Sequence, residues 1–218
     1  MPHPKEGYRL KDGSKVPSVT TILGAFKDCG GLIHWANRLG LQGVDHRDVR
    51  DKAADAGTMT HAMIEKWARG EDPEEVIGPE AEVKSARTAF AAFRRWADST
   101  KFQIVEQEVA LVSERHRFAG CLDSTMAVSV NGALSLGDWK TSNSVYPEYL
   151  FQLGGYAILW EENFPDRPLN GGFHLLRFAK DFPDFSHRSW ENLDEAKRGF
   201  LLMRELYDIK KRLESRAK

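Results

Sequence analysis

A mixed sheet flanked by helices, an α/β (α+β) architecture, is what this 218-residue sequence predicts. Three observations lead there. Up to about residue 99, apolar side chains recur at the three- and four-residue spacing of helices. Residues 102–140 switch to the alternation of strands. The remainder returns to helix, strand and helix, so helices must cover a sheet of four strands. A hydrophobic share of 41% can build one core, so the chain is taken as a single domain. It divides into an N-terminal hairpin and helices (1–47), a central core (48–180) and a C-terminal helix (181–218).

Taken in order, residues 8–16 suit a small hairpin turning on Asp12-Gly13. Ser18 after Pro17 is a helix N-cap for residues 19–26, and Gly30-Gly31 ends that helix. A second helix over 32–41 offers Ile33, Trp35, Ala36 and Leu39 for packing. A third spans 48–69. Residues 80–99 form an amphipathic helix with Val83, Ala86, Phe90, Phe93 and Trp96 or Ala97 along one side. The strand 102–112 places Val105, Val109 and Leu111 on one face. Strands 117–130 and 133–140 follow, joined by an Asn131-Gly132 hairpin turn. Helix 147–163, the apolar strand 171–178 and a long charged helix over 193–216 complete the chain.

Lys and Arg number 31 against 32 Asp and Glu, a net charge of −1, so any nucleic-acid binding must come from a local basic patch. Two cysteines, Cys29 and Cys121, cannot build a four-cysteine zinc or iron–sulfur site. Their scarcity suits a reducing compartment. No apolar run approaches a membrane span and no signal peptide opens the sequence, so a soluble, cytoplasmic protein is expected, without a membrane partner.

The chemistry concentrates in a few places. In residues 133–141, Leu134 and Leu136 share a strand face with Asp138 and Lys140. A carboxylate and an ammonium on an apolar face cost several kcal/mol each, in rough terms, unless paired or metal-bound. Chemistry on a phosphate accounts for both: a carboxylate for a divalent cation, a lysine for developing negative charge. The solvated end of an edge strand accounts for them too. Asp123 is the single carboxylate in the small, apolar stretch 118–123, and a hairpin at 131–132 brings it roughly level with Asp138. Two adjacent carboxylates repel unless a cation sits between them. Gly57, His61 and Glu65 lie four apart on one side of a helix. Glycine there admits a neighbouring backbone, and histidine can ligate a metal or serve as a structural side chain. Gln152 and Tyr156 share a helix face and suit a phosphate contact or a tie to the sheet. Of Glu106 and Glu108, the second is favoured as a further carboxylate of the site.

These stretches together resemble the RecB-like exonuclease branch of the PD-(D/E)XK nuclease superfamily. That branch runs through a GxxxH helix, a GxxD strand, a DxK strand and a QxxxY helix. Here they stand in order as Gly57 to His61, Gly120 to Asp123, Asp138 to Lys140 and Gln152 to Tyr156. The opening residues 17–23 are similar to phage-encoded members, which would put the protein in a host cytoplasm. The resemblance implies a restriction-endonuclease-like fold with 48–180 as its catalytic core. It implies Mg²⁺ or Mn²⁺ held by His61, Asp123, Asp138 and the Trp139 carbonyl, to which the residue reading above adds the Glu108 carboxylate. It makes Lys140 catalytic, and gives Gln152 and Tyr156 to site support or DNA contact. No iron–sulfur cluster is expected. The implied activity is metal-dependent DNA exonuclease, acting on a free end in recombination, repair or processing. An endonuclease, an RNA-cleaving enzyme and a catalytically silent DNA-end-binding protein on the same fold stay open. Basic candidates for DNA are Arg50, Lys52, Arg87, Arg94, Arg95, Arg177 and Lys180, with Trp35 and Trp67 as stacking candidates that suit the core equally well. These motifs carry no signal for oligomeric state.

Overall fold

The computed structural model describes residues 6–27, 30–100, 102–127, 133–142, 144–182 and 184–217. Strands β1 (Tyr8–Arg9) and β2 (Lys15–Val16) form the opening hairpin. Its turn is closed by Leu10 N–H on the Ser14 carbonyl and by Gly13 at φ +83°, a backbone region that glycine enters freely. The Ser18 hydroxyl caps α1 (Val19–Gly24) by accepting the Thr21 N–H at 3.1 Å. Three longer helices follow: α2 (Gly30–Leu41), α3 (His46–Ala68) and α4 (Glu80–Thr100). Then come β3 (Gln103–Ser113), β4 (Phe118–Ala127), β5 (Leu134–Lys140), α5 (Pro147–Asn163), β6 (Phe173–Phe178), β7 (Phe185–Trp190) and α6 (Asp194–Arg216).

The five-stranded sheet has the order β3-β4-β5-β6-β7 and is mixed. Only β5 and β6 run parallel, because α5 carries the chain back between them. One face packs on α1, α5 and α6 through Val19, Ile22, Leu136, Leu153, Trp160 and Phe200. The other packs on α3 and α4 through Met63, Phe90, Phe93, Trp96, Trp139 and Phe178. Alternation along β5 sends Leu136 into the first layer and Trp139 into the second. This is the mixed, helix-flanked sheet that the sequence led us to expect.

Four details differ from the sequence reading. The segment 181–218 is not helix alone but contains β7, the fifth strand. Its residues Phe-Ser-His-Arg-Ser-Trp lack an apolar face because β7 is an edge, paired only with β6 and half open to solvent. Val105 does not share the buried face of Leu111. A register shift between Ile104 and Glu106 inserts a residue, and Val105 is left 46% exposed. Gly30 and Gly31 begin α2 instead of ending α1, which stops at Gly24. No residue of α2 is buried; Ile33 is 66% exposed, and Trp35 sets its ring edge-on to His46 at 6.1 Å. The Asn131-Gly132 turn lies outside the described residues. The strands it would join pair antiparallel from Ala127↔Leu134 to Ser124↔Gly137.

Candidate active site

Strands β4 and β5 stay together for four residue pairs and then separate. Their ladder ends at Ser124↔Gly137, so the next pair in that register is Asp123 with Asp138. Past this point β5 continues along β6 as far as Lys140↔Arg177. The vacated flank of β4 takes the N-terminal segment instead: Ala119 N–H donates to the Pro17 carbonyl at 3.0 Å, and Ser18 bridges Ala119. The two aspartates thus sit in the crotch of a fork. There a side chain replaces the lost ladder bond, as Trp139 N–H donates to Asp123 Oδ2 at 2.8 Å.

Helix α3 closes the fork from one side. Gly57 lets it approach, since a Cβ there would stand 2.9 Å from Thr141 Oγ1 just past β5. One turn later His61 Nδ1 lies 3.9 Å from Asp123 Oδ1. From β3, Glu108 enters with φ +51°, a left-handed conformation unusual for a strand glutamate. One ligand atom each from His61, Glu108 and Asp123 lie within 4.8 Å of one another. Glu106 goes elsewhere, to Arg167 at 2.6 Å.

Asp138 lies just outside that trio. It is fully buried, with Lys140 Nζ 2.5 Å from Oδ2, yet among the described residues neither of its oxygens has a donor in hydrogen-bonding geometry. Burial pushes its pKa up to about 7; Lys140 pulls it back and the Asp123 carboxylate adds to the rise. Burial also acts to lower Lys140, but Asp138 and Asp123 outweigh it and hold the ammonium above its usual range. Glu108 is raised by burial and then by Asp123. The trio, Asp138 and Lys140 therefore combine three carboxylates with one ammonium.

Helix α5 forms the floor. Gly120 leaves the space for Tyr156, whose Cε1 a Cβ at 120 would meet at 2.9 Å. The Tyr156 hydroxyl accepts from Gln152 Nε2 at 2.8 Å. Burial, then Asp123 and Asp138, push this phenol well above its normal pKa, so it stays protonated beside them. The Gly of GxxD and the Tyr of QxxxY are thus two halves of one contact.

The sequence reading missed three neighbours. Tyr149 lies under Lys140, with Nζ 5.2 Å from its ring centre. Its signal was legible: Tyr149, Gln152 and Tyr156 are spaced three and four apart on one helix face. Tyr8 from the opening hairpin is raised to about 12, by burial first and then by Cys121 and Glu108. Cys121 Sγ lies 3.4 Å from Glu108 Oε2. Tyr8 carried no local signal, because it reaches the site through tertiary packing, whereas Cys121 stands two residues before Asp123 on the same face of β4.

The basic candidates are mostly engaged: Arg87 with Glu74 at 2.7 Å, Arg50 with Asp51 at 2.8 Å, and Arg177 with Asp184 at 2.5 Å. Lys180 Nζ donates to the Ala53 carbonyl at 2.9 Å, and Arg94 lies over Trp67, which packs on the second core layer. No helix among the described residues is long and apolar enough to cross a membrane.

A forked mixed sheet with acidic side chains and a lysine at the fork defines a class of phosphodiester-cleaving folds. The family model of the PD-(D/E)XK nuclease superfamily matches residues 7–214, and the chain belongs to that superfamily. No curated protein matches it. Among solved structures, a candidate exonuclease from Eubacterium rectale is similar at 14% identity and a TM-score of 0.47, over 71% of this chain and 65% of that one. The chain thus spans slightly less than two thirds of that protein. The alkaline exonuclease LHK-Exo from Laribacter hongkongensis is similar at 12% identity and a TM-score of 0.36, over 77% of this chain and 92% of that one. LHK-Exo in complex with dAMP matches at 14% identity and a TM-score of 0.37, over the same shares.

Nucleases of this superfamily typically use divalent metals, and the residues present fit one. The donors are hard carboxylate oxygens plus an imidazole, suited to Mg²⁺ or Mn²⁺. Among the described residues the buried Asp138 oxygens have only the Lys140 ammonium beside them, and the carboxylates outnumber that ammonium by two charges, the charge of one such ion.

Proposed function

We propose that this protein is a divalent-metal-dependent deoxyribonuclease of the RecB-like exonuclease branch, hydrolysing phosphodiester bonds from a DNA end in recombination, repair or processing. The observation that carries the reading is the fork itself: the buried Asp138 and the partly exposed Lys140, 2.5 Å apart, directly beside the His61–Glu108–Asp123 trio.

His61, Glu108 and Asp123 would hold Mg²⁺ or Mn²⁺, with Asp138 and the Trp139 carbonyl completing the donor set. When bound, the ion lowers the pKa of water and polarises a phosphoryl oxygen. The protein's own groups do the rest. Lys140 stays charged because Asp138 and Asp123 hold its proton, so it can offer positive charge to the phosphate as negative charge develops there. Tyr149 under the ammonium limits its swing. Asp123 keeps its orientation through the Trp139 N–H. Gln152 fixes the Tyr156 hydroxyl, which remains a neutral donor beside two carboxylates. Glu108 is aimed inward by its left-handed backbone, a conformation costing about 1–3 kcal/mol that persists where surrounding structure enforces it.

The test is digestion of end-labelled linear DNA and of circular DNA, each with Mg²⁺, with Mn²⁺ and with chelator. Metal-dependent loss of linear DNA with circles spared supports the reading. Cleavage of circles replaces it with an endonuclease. Binding to ends without cleavage under every condition replaces it with a silent end-binding protein.

A further inference from the structure

Helix α6 is apolar on two sides. Ala196, Phe200 and Arg204 are buried against the core, with Met203 and Tyr207 packed beside them. Away from that face runs a second row: Leu202, Leu206, Ile209 and Leu213, exposed by 58%, 47%, 36% and 57%. At 100° per residue this row lies roughly 130° around the helix from the core-facing set, so no core contact explains it. Its spacing of four, three and four residues is that of a coiled-coil seam. Scattered exposed leucines need no explanation; a seam of four in register does.

The charges beside the seam indicate what covers it. Several charged groups on α6 are engaged within the chain: Lys197 with Glu161 at 2.5 Å, Arg204 with Asp208 at 2.5 Å, and Lys211 with Glu214 at 3.0 Å. Lys210 Nζ donates to the Ala25 carbonyl at 3.1 Å and lies 5.7 Å from the Phe26 ring centre. Glu205 and Arg212 flank the seam on one side, seven residues apart, and make no ion pair among the described residues. They are opposite in sign, so the flank is complementary to itself under a two-fold axis.

We infer that α6 is the dimerisation surface, pairing antiparallel with α6 of a second copy of this chain. The two-fold sets Leu202 against Leu213 of the second copy and Leu206 against Ile209. It sets Glu205 against Arg212 in both directions, as flanking positions meet in antiparallel coiled coils. A parallel pair would instead set Glu205 against Lys210, whose ammonium is already held at Ala25. The seam is only about 16 Å long, too short for free peptides to associate. Here α6 is already folded against α5 and α1, so association need not order a helix. No α6 side chain belongs to the fork, so the active site stays open in the dimer.

The test is sedimentation equilibrium of the whole protein from about 1 to 200 µM, a range that reaches weak interfaces. The expected result is a concentration-dependent rise from 24.7 kDa toward twice that mass. Leu206→Lys with Leu213→Lys should keep the protein monomeric with an unchanged circular-dichroism spectrum, since both sites are exposed. Glu205→Arg should weaken the dimer about tenfold by setting like charges together. Adding Arg212→Glu to it should restore wild-type affinity. A wild type that stays monomeric at the highest concentration overturns the proposal. So does a dimer indifferent to the leucine substitutions, or a charge-swapped double variant that remains weak.

Discussion

Strand β7 and helix α4 are joined by a chain of hydrogen bonds whose protons have only one arrangement. Trp96 Nε1–H can only donate, so His187 Nδ1, 3.2 Å away, must accept. Neutral His187 then carries its proton on Nε2 and donates to His174 Nδ1 at 2.8 Å. His174 is left with its proton on Nε2, facing the Gly171 carbonyl at 3.1 Å. Protonating either ring breaks a link. Burial, and then His174, lower His187 to about 4; burial lowers His174, with the Gly171 carbonyl opposing. The unfolded chain takes up protons below the ordinary histidine value of about 6.5, and the native state resists until about 4. Stability from His187 is therefore complete above pH 6.5, falls as the pH drops through that value, and levels off below about 4. A shift of this size corresponds to about 3 kcal/mol for a sealed group. His187 is half-buried, so roughly 1–2 kcal/mol is expected. His187→Gln keeps an acceptor for Trp96 and a donor for His174 but cannot titrate. Urea denaturation of both proteins at pH 7, 6, 5 and 4.5, in chelator, isolates the effect, because the carboxylates of the fork titrate in both and cancel. Wild type should lose about 1–2 kcal/mol more than the variant between pH 7 and 4.5, or about 2–8 °C in Tm. Parallel losses in the two proteins would refute the proton assignment.

Three further outcomes follow from the fork. Lys140→Ala should abolish cleavage. It should also cost roughly 3 kcal/mol in urea melts at pH 8, less at pH 6, because the stranded Asp138 is increasingly neutralised by a proton as the pH falls; an equal cost at both would mean that Asp138 was not charged beside it. Asp123→Asn and Glu108→Gln should each weaken Mn²⁺ binding at least about tenfold by calorimetry, since each removes a charged donor, and unchanged affinity removes that residue from the ligand set. Gly120→Ala should lower stability by about 1–3 kcal/mol in thermal melts and depress cleavage as well, because its Cβ drives Tyr156 out of place. Wild-type melting would mean that the Gly120–Tyr156 contact has slack.

What could be read from the sequence was what period and short spacing encode. Helix α4 displays its buried face as Ala86, Phe90, Phe93 and Ala97, and those residues fill the second core layer. Pro147 and the long apolar run after it gave α5. Strand β7 was not legible because an edge strand needs no apolar face. Trp190 and His187 are partly buried, while Phe185, Arg188 and Ser189 are exposed. The divergent paths of Glu106 and Glu108 were not legible either. Simple alternation puts them on one face, and the left-handed backbone of Glu108 parts them.

That parting explains why the site stands where it does. A sheet that paired β4 with β5 along their full length would satisfy every backbone group with a neighbouring strand, leaving no place for Asp123 and Asp138 except against each other. Ending the ladder at Ser124↔Gly137 leaves backbone donors that must find oxygen acceptors. One such donor, Trp139 N–H, is met by the Asp123 side chain. Once that carboxylate is fixed in the gap, Glu108 and His61 meet it from β3 and α3, with Asp138 of β5 just outside. Their packing costs electrostatic free energy that Lys140 only partly offsets. The fold thus stores an excess of negative charge at the place where a divalent cation would relieve it. Adding Mn²⁺ should therefore stabilise the protein by more than its loss from Asp123→Asn predicts for a single ligand, because relief reaches Asp138 and Glu108 as well. Thermal melts of wild type and the Asp123→Asn variant across a Mn²⁺ titration decide this. A metal-induced rise in Tm that survives Asp123→Asn undiminished would mean that the charge is relieved elsewhere.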